Sequence, residues 1–253
     1  MARGRKQIEG QLSFDFCLDT RNYVVQANAL IGGKQALKLN SAKLIRSAIM
    51  QVVRDDEELK PYIITIKELS GLLSIQKSNI YRDIEDMTDD IIKNPVYVRE
   101  IKEGKTVRFI KIPWVTRCEY KADVGVAIKL NEELKPFLIS LKEHYTQYTL
   151  GEVLAMRSVY AIRIFEILQS KIMNGNVPVS GTHVVLSVQE LRECCDCEDK
   201  YLAFGDFKKR VIGKAVSEIN RVTYYDLSFT YQKSGRSVVS IDFFIILKFR
   251  NNI

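Results

Sequence analysis

The chain has 253 residues, of which 46% are hydrophobic and 27% charged, which is typical of one large folded domain or two of ordinary size. It has no run of 18 apolar residues, which excludes a membrane-spanning helix. The basic N-terminus lacks the apolar core of a secretory signal, so we expect a cytoplasmic protein. The formal net charge of +7 favours an acidic partner such as nucleic acid.

The beginning of the chain is predicted to form a flexible basic arm over residues 1–21. A short apolar element follows at 22–31 and ends at a break formed by Gly32 and Gly33. Ser41 is then expected to cap a helix over 41–53, because the apolar residues after it recur at helical spacing.

A strand, two helices and a hairpin are predicted next. A short strand leads into a helix opened by the capping box Thr65-x-x-Glu68. A second helix is expected at 77–93, where apolar residues keep helical spacing, and the alternating runs 96–101 and 107–112 predict a β-hairpin. Helix, strand, short helix, turn, longer helix and hairpin is the order of a winged helix-turn-helix domain.

The same order of elements returns in the second half of the chain. A helix beginning at Ser158, a strand, a second capping box at Ser187-x-x-Glu190, a basic helix and a hairpin at 227–243 follow one another. We therefore predict an α+β fold of two tandem winged helix-turn-helix domains with a pseudo-two-fold relation. The predicted divisions are the arm (1–21), an N-terminal winged-helix domain (22–130), a connecting helix (131–144) and a C-terminal winged-helix domain (145–253).

The basic helix of the second half, predicted over 206–221, has two different faces. Its apolar residues occupy one half of the helical wheel. Arg210, Lys214, Ser217 and Arg221 form a stripe on the other half, which suits a polyanion. A lone basic stripe is more often an ordinary solvated face. The surrounding helix-turn-helix order favours DNA binding.

Motifs for nucleotide hydrolysis and strand cleavage are incomplete. The segment Gly104-Lys105-Thr106 resembles the end of a phosphate-binding loop, but Arg99 stands where that motif needs a glycine. The two histidines, His144 and His183, are not adjacent, so they cannot form the paired-histidine metal site of a nicking enzyme. We therefore expect a protein that is not an enzyme.

The cysteines give no stronger sign of a cofactor. Cys194, Cys195 and Cys197 invite a zinc interpretation, but a fourth ligand would have to come from a distant part of the chain. An odd total of five cysteines fits a reducing cytoplasm. We predict structural thiols, no metal and no cofactor.

Five motifs, specific in combination, are spread over nearly the whole chain from about residue 22. They are QANALI (26–31), IYRDI (80–84), HYTQYTLGEVLAMRSVYAIRIFEIL (144–168), YLAFGDFKKRVIGKAVSEIN (201–220) and KSGRSVVSIDFFI (233–245). With these motifs the sequence resembles the replication initiator (Rep) proteins of theta-replicating, iteron-containing bacterial plasmids. The resemblance implies two winged-helix domains and binding, as a monomer, to direct repeats in the origin. It also implies recruitment of a host initiator ATPase and the replicative helicase. A homodimer in equilibrium with the monomer, made largely through the N-terminal domain, would repress its own promoter at an inverted repeat.

DNA contacts are predicted on both recognition helices and both hairpins. In the second domain, Arg210, Lys214, Ser217 and Arg221 are expected at base edges or phosphates, Lys208 and Lys209 at phosphates, and Lys233 and Arg236 on the wing. In the first domain the candidates are Lys77, Ser78, Asn79, Tyr81 and Arg82 at the start of the helix and Lys102, Lys105 and Arg108 on the hairpin taken as the wing.

The first recognition helix departs from a DNA-binding pattern in its C-terminal part, which carries Asp83, Glu85, Asp86, Asp89 and Asp90. Carboxylates cannot lie along a phosphate backbone without repulsion, so the second domain is expected to supply most of the affinity. A transcriptional repressor without a replication role would share every DNA-binding feature and stays the alternative. A protein-binding scaffold would leave the basic stripe unexplained.

Overall fold

The computed structural model describes residues 18–72, 80–102, 105–172 and 176–248. The elements of the first half are, in chain order, β1 (Tyr23–Ala27), α1 (Asn28–Ile31), α2 (Leu39–Ile49), β2 (Pro61–Thr65), α3 (Ile66–Leu72), α4 (Ile80–Lys93), β3 (Val96–Lys102), β4 (Lys105–Ile112), β5 (Val115–Lys121), β6 (Gly125–Leu130) and α5 (Lys135–Leu138), which a 3-10 turn (Glu132–Leu134) precedes. Those of the second half are β7 (Tyr145–Thr149), α6 (Leu150–Ala155), α7 (Val159–Lys171), β8 (Thr182–Ser187), α8 (Val188–Cys194), α9 (Phe204–Phe207), α10 (Lys214–Val222), β9 (Tyr225–Ser234) and β10 (Ser237–Leu247), with a π-helical stretch (Lys208–Gly213) joining α9 to α10.

The two halves contain sheets of the same antiparallel order. In the first half the order is β2-β6-β5, and in the second it is β8-β10-β9. In each half, a strand leads into a short helix and a longer helix, and the last strand of the unit pairs with the first. This topology confirms the predicted pair of winged helix-turn-helix units.

The wing of the first unit is a different hairpin from the one predicted. Because β6 pairs with both β2 and β5, the β5–β6 hairpin occupies the position that β9–β10 holds in the second unit. The β3–β4 hairpin, which carries Lys102, Lys105 and Arg108, forms a separate sheet inserted between α4 and β5. Sequence pattern predicts a hairpin but not its pairing partner, and strand β5 was missed.

The inserted β3–β4 hairpin contacts both halves of the molecule. Backbone hydrogen bonds of 3.0 Å join Tyr97 of β3 to Lys34, next to Gly33. A side chain at position 33 would place its Cβ 2.5 Å from the Tyr97 carbonyl oxygen, so the close approach requires glycine. On the other side, Arg99 of β3 forms an ion pair with Glu193 of α8.

Two predicted helix boundaries were wrong. Helix α2 begins at Leu39, and Ser41 lies inside it with 1% exposure, because the amide of Lys38 donates to Asp90 of α4 at 2.8 Å. The N-cap residue Lys38 makes no side-chain capping hydrogen bond, and the Asp90 carboxylate instead binds its backbone amide. The connecting helix predicted over 131–144 ends at Leu138, because Ser140 has a φ of 54° and its amide donates to the Arg54 carbonyl.

The two capping boxes at the helix-turn-helix entries differ in completeness. The amide and hydroxyl of Thr65 donate to the Glu68 carboxylate at 2.7 and 2.8 Å, and the Glu68 amide donates to the Thr65 hydroxyl. At the second entry, the Glu190 amide donates to the Ser187 hydroxyl at 2.9 Å. These local bonds fix where each short helix begins.

Helix α7 lies in the centre of the molecule, with residues 161–169 all buried. Strand β7, which leads towards it, pairs with β1 from the start of the chain. The predicted domain boundary at residue 145 falls at the first residue of β7. The two halves are therefore joined by strand pairing and by packing on α7 as well as by the chain itself.

A buried charge network surrounds Glu166 of α7. Arg46 of α2 donates two hydrogen bonds of 2.9 Å to the Glu166 carboxylate, Arg163 donates one of 2.6 Å, and the Tyr148 hydroxyl donates another. The Glu166 and Arg46 side chains have no exposed surface. Burial alone would raise the pKa of the Glu166 carboxyl, but the charges of Arg46 and Arg163 and their hydrogen bonds lower it from 4.5 to about 2. Glu166 is therefore the shared counter-charge of two buried arginines.

Candidate nucleic-acid interface

The recognition helix of the second unit is a continuous helix over residues 204–222. Phe207, Val211, Ala215 and Ile219 form its buried face, each at 0–1% exposure. The helix is not α-helical throughout, since Lys208–Gly213 is a π-helical stretch. A π turn holds more residues than an α turn, so both Val211 and Ile212 are buried and the outer stripe is not a straight row.

The predicted DNA-contact residues of this unit all lie on the surface. The exposed set is Lys208, Lys209, Arg210, Lys214, Ser217 and Arg221 on the helix, with Lys233 and Arg236 on the wing. Arg236 stands at the wing tip beside Gly235, whose φ of +59° closes the turn between β9 and β10. The structure thus brings the eight side chains to one helix and its wing.

Two of these arginines also have partners inside the protein. The Nε of Arg210 lies 3.5 Å from the Asp206 carboxylate, and its guanidinium is 5.8 Å from the Tyr201 ring centroid. Arg221 donates to the Ala155 carbonyl at 2.8 Å. A guanidinium has five N–H donors, so each arginine keeps donors for another acceptor.

The connection between α6 and α7 is held by both halves of the molecule. From the recognition helix, Arg221 bonds Ala155, and the buried Glu218 accepts a hydrogen bond from the Arg157 amide. From the first half, Lys43 of α2 donates to the Leu154 carbonyl at 2.7 Å. The C-terminal end of the recognition helix is therefore fixed against the core that both units share.

Arg192 organises the turn that precedes the recognition helix, a role that sequence reasoning missed. Its guanidinium donates to the carbonyls of residues 197, 200, 201 and 202 at 2.8–3.3 Å and lies 4.3 Å from the Phe207 ring centroid. No local pattern marks this arginine, because its partners become neighbours only when the turn folds back.

The three clustered cysteines are buried free thiols. Cys194 donates to the Gly32 carbonyl at 3.2 Å. Burial raises the pKa of the Cys197 thiol to about 11, so it stays protonated at neutral pH. Across the described ranges, no cluster of three or more His, Cys, Asp or Glu side chains is arranged to hold a metal ion.

The predicted contacts of the first unit are less complete. Tyr81 and Arg82 are exposed at the start of α4, and the Tyr81 ring packs edge-on against Tyr120 of β5 at 5.4 Å. Arg108 is exposed on the inserted hairpin, where the backbone of Lys102 pairs with that of Lys105. Lys77, Ser78 and Asn79 lie outside the described residues.

The outer face of α4 is acidic, as expected, with one exception. Glu85, Asp86 and Asp89 are exposed, and Asp83 is half-buried. Asp90, the last of the five carboxylates, is buried and accepts hydrogen bonds from Lys38 and Asn94. Asp90 therefore has a structural role, and the acidic face consists of the other four carboxylates.

None of the helices in the described parts of the chain is both long enough and apolar enough to cross a membrane.

Comparison with known proteins identifies two family domains, and the first of them extends past the predicted boundary at residue 145. Residues 23–169 match the model described as "Initiator Replication protein, WH1", and residues 187–245 match "Initiator Rep protein, WH2". The Escherichia coli "PI protein" is 24% identical over 222 residues, covering 74% of this chain and 70% of the relative. An uncharacterised 27.6 kDa E. coli protein is 22% identical over 239 residues, covering 90% and 97%.

A solved structure has the same fold. It is described as the Pi initiator protein in complex with iteron DNA, with a TM-score of 0.72 and 19% identity, and the match covers 90% of this chain and 98% of that one. The WH1 model by itself matches more than half of the chain, and the WH2 model matches the second unit. The protein therefore belongs to the family of replication initiator (Rep) proteins built from tandem winged-helix domains.

Proposed function

We propose that the protein initiates plasmid replication by binding, as a monomer, to direct repeats (iterons) in its origin. The observation that carries the proposal is the exposed basic face of helix 204–222 beside a basic wing, in a chain of the initiator family. The related Pi protein was solved in complex with iteron DNA, which supports the same ligand here.

The geometry suggests how the second unit would read DNA. Helix 204–222 enters the major groove with Arg210, Lys214 and Ser217 towards base edges. The residues that bind phosphates are Lys208 and Lys209 at the start of the helix and Lys233 and Arg236 on the wing. Arg221 also binds phosphate, through the N–H groups that do not donate to the Ala155 carbonyl. These contacts make affinity strongly dependent on salt.

The first unit would contact the neighbouring turn of the duplex through a smaller surface. Tyr81 and Arg82, with Lys77, Ser78 and Asn79, are the candidates at the start of its helix. The topological wing β5–β6 adds the exposed Lys121, whereas Lys102, Lys105 and Arg108 lie on the inserted hairpin. Two recognition helices one helical turn apart, about 10 bp, would let one chain cover about 20 bp.

The wider role proposed includes partners beyond the iterons. As a homodimer in equilibrium with the monomer, the protein represses its own promoter at an inverted repeat. At the origin it recruits the host initiator ATPase and the replicative helicase, in the bacterial cytoplasm and associated with plasmid DNA. We expect the purified protein neither to hydrolyse ATP nor to nick supercoiled origin DNA.

Replication in a cell separates this proposal from the repressor alternative. A plasmid carrying the repeats and no other origin should be maintained when the protein is supplied from a second replicon. A Lys214→Ala, Lys209→Ala double variant should fail to maintain it. Repression of the promoter without any plasmid maintenance would contradict the proposal and favour a pure repressor.

A further inference from the structure

Tyr231 of β9 lies between the wing and the start of the recognition helix. Its side chain is exposed to 41%, and its ring packs edge-on against Phe204, the first residue of α9, at a centroid distance of 5.4 Å. The pairing of Tyr231 with Ile241 in the sheet fixes its place along the strand. The ring is therefore held from two elements at once.

Two lysines from different elements lie over this ring. The Lys208 ammonium, from the helix, is 5.3 Å from the ring centroid, and the Lys233 ammonium, from the wing, is 6.0 Å away. An aromatic face attracts cations, so one ring holds both ammonium groups within 6.0 Å of its centroid. Among the described residues neither lysine has a carboxylate within 4 Å.

The equivalent place in the first unit has a different composition. There the wing ring Tyr120 packs on the helix ring Tyr81 at 5.4 Å, so the aromatic contact between wing and helix is present in both units. Within the described ranges, no lysine or arginine lies over either of these two rings. Among the residues described in both units, the pair of cations is therefore found in the second unit.

We infer that Tyr231 is a positioning residue that gathers Lys208 and Lys233 into one phosphate clamp. The recognition helix and the wing then bind the same short stretch of DNA backbone, and this clamp sets how deeply the helix enters the groove. The inference rests on the proposed function, because the phosphate belongs to the DNA that the protein binds.

A scan with neutral phosphates tests the clamp directly. Duplex repeats, each with a single methylphosphonate, are bound by wild type and by the variants Lys208→Ala, Lys233→Ala, Tyr231→Ala and Tyr231→Phe. Wild-type binding should weaken when the methylphosphonate replaces one particular phosphate or either of two adjacent ones. In Lys208→Ala, Lys233→Ala and Tyr231→Ala, a methylphosphonate at the same position should no longer weaken binding. Tyr231→Phe keeps the ring and should keep the sensitivity.

The salt dependence of DNA affinity is a second measurement, and a purely structural change would leave it unaltered. The slope of log K against log salt should fall by about 0.9 for each phosphate that the Tyr231→Ala variant no longer binds. Thr230→Ala is the matched control, since this exposed neighbour points to the opposite face of the strand and should leave scan and slope unchanged.

The outcomes separate the clamp from the proposed function. If the two lysine variants lose sensitivity at distant phosphates, or if Tyr231→Ala retains the wild-type scan and slope, the clamp is overturned and repeat binding stands. If wild type binds the repeat no better than unrelated DNA and shows no sensitive position, the proposed function is overturned together with the clamp.

Discussion

The two winged-helix units have one topology and opposite surfaces. Both have the same sheet order and a capped short helix before the recognition helix. The recognition helix α4 exposes Glu85, Asp86 and Asp89, whereas helix 204–222 exposes six of its predicted DNA-contact residues. The fold places a helix where it can reach a groove, and side-chain charge then decides whether the helix is attracted to phosphate.

The two units pack on one shared core around α7, and Glu166→Ala should destabilise that core. The change leaves Arg46 and Arg163 buried without a counter-charge, which costs about 3–5 kcal/mol of folding free energy. Urea unfolding should show both units losing structure in one destabilised transition. Glu193→Ala is the control, since removal of its half-exposed ion pair with Arg99 should cost no more than about 1 kcal/mol. A destabilisation below about 1 kcal/mol for Glu166→Ala would contradict the assignment.

A pH titration of stability tests the same buried charge network around Glu166. The pKa of Glu166 is lowered from 4.5 to about 2 in the folded protein. The stabilisation, about 3 kcal/mol at 1.36 kcal/mol per pKa unit, is fully present above pH 4.5 and is lost as pH falls towards 2. Thermal unfolding from pH 6 down to pH 2.5 measures it. In Glu166→Gln this component of the acid dependence should be absent, and an unchanged profile would show that other carboxyls cause it.

Paired arginine substitutions test which unit reads the DNA. Arg210→Ala should cost about 1–3 kcal/mol of binding and relax base preference at one position. Arg82→Ala, the exposed arginine on α4, should cost less. Competition on singly substituted repeats measures both, with Lys209→Ala as the control that weakens all sequences about equally. A larger effect for Arg82→Ala would make the first unit the principal reader.

The smallest effect is expected from neutralising the acidic face of α4. Glu85→Gln with Asp86→Asn should raise affinity for the repeat by less than about tenfold at low salt. The gain should shrink as salt rises, because exposed charges beyond about 10 Å are screened at 0.1 M. Glu58→Gln, another exposed carboxylate outside the recognition helices, is the control in a fluorescence-anisotropy titration. Equal gains for both would mean that net charge, and not the α4 face, limits binding.

The full chain is the right material for these measurements. A cut at residues 143–145 would separate β1 from β7 and remove α2 from the charge network on α7. The binding of a fragment would therefore depend on its disrupted core as well as on the DNA-binding side chains that it lacks.

The sequence alone determined the features that depend on neighbours within a few residues. The stripe of Ile80, Ile84, Met87 and Ile91 is buried as helical spacing predicted, and Thr65 caps the short helix. Four candidates on the second recognition helix, Arg210, Lys214, Ser217 and Arg221, could be predicted for the same reason. Helical periodicity places them on the face opposite an apolar stripe, and all are exposed.

Tertiary structure decided what depends on contacts between distant parts of the chain. Pairing of β2 with β6 makes β5–β6 the wing, Asp90 binds the amide of Lys38, 52 residues earlier in the chain, and Tyr231 meets Lys208 across a turn of the fold. Arg192 and the Glu166 network escaped prediction because a charged residue in a helix usually marks its solvated face. Only the packed structure supplies the carbonyls that bind Arg192 and the arginines that make the burial of Glu166 favourable.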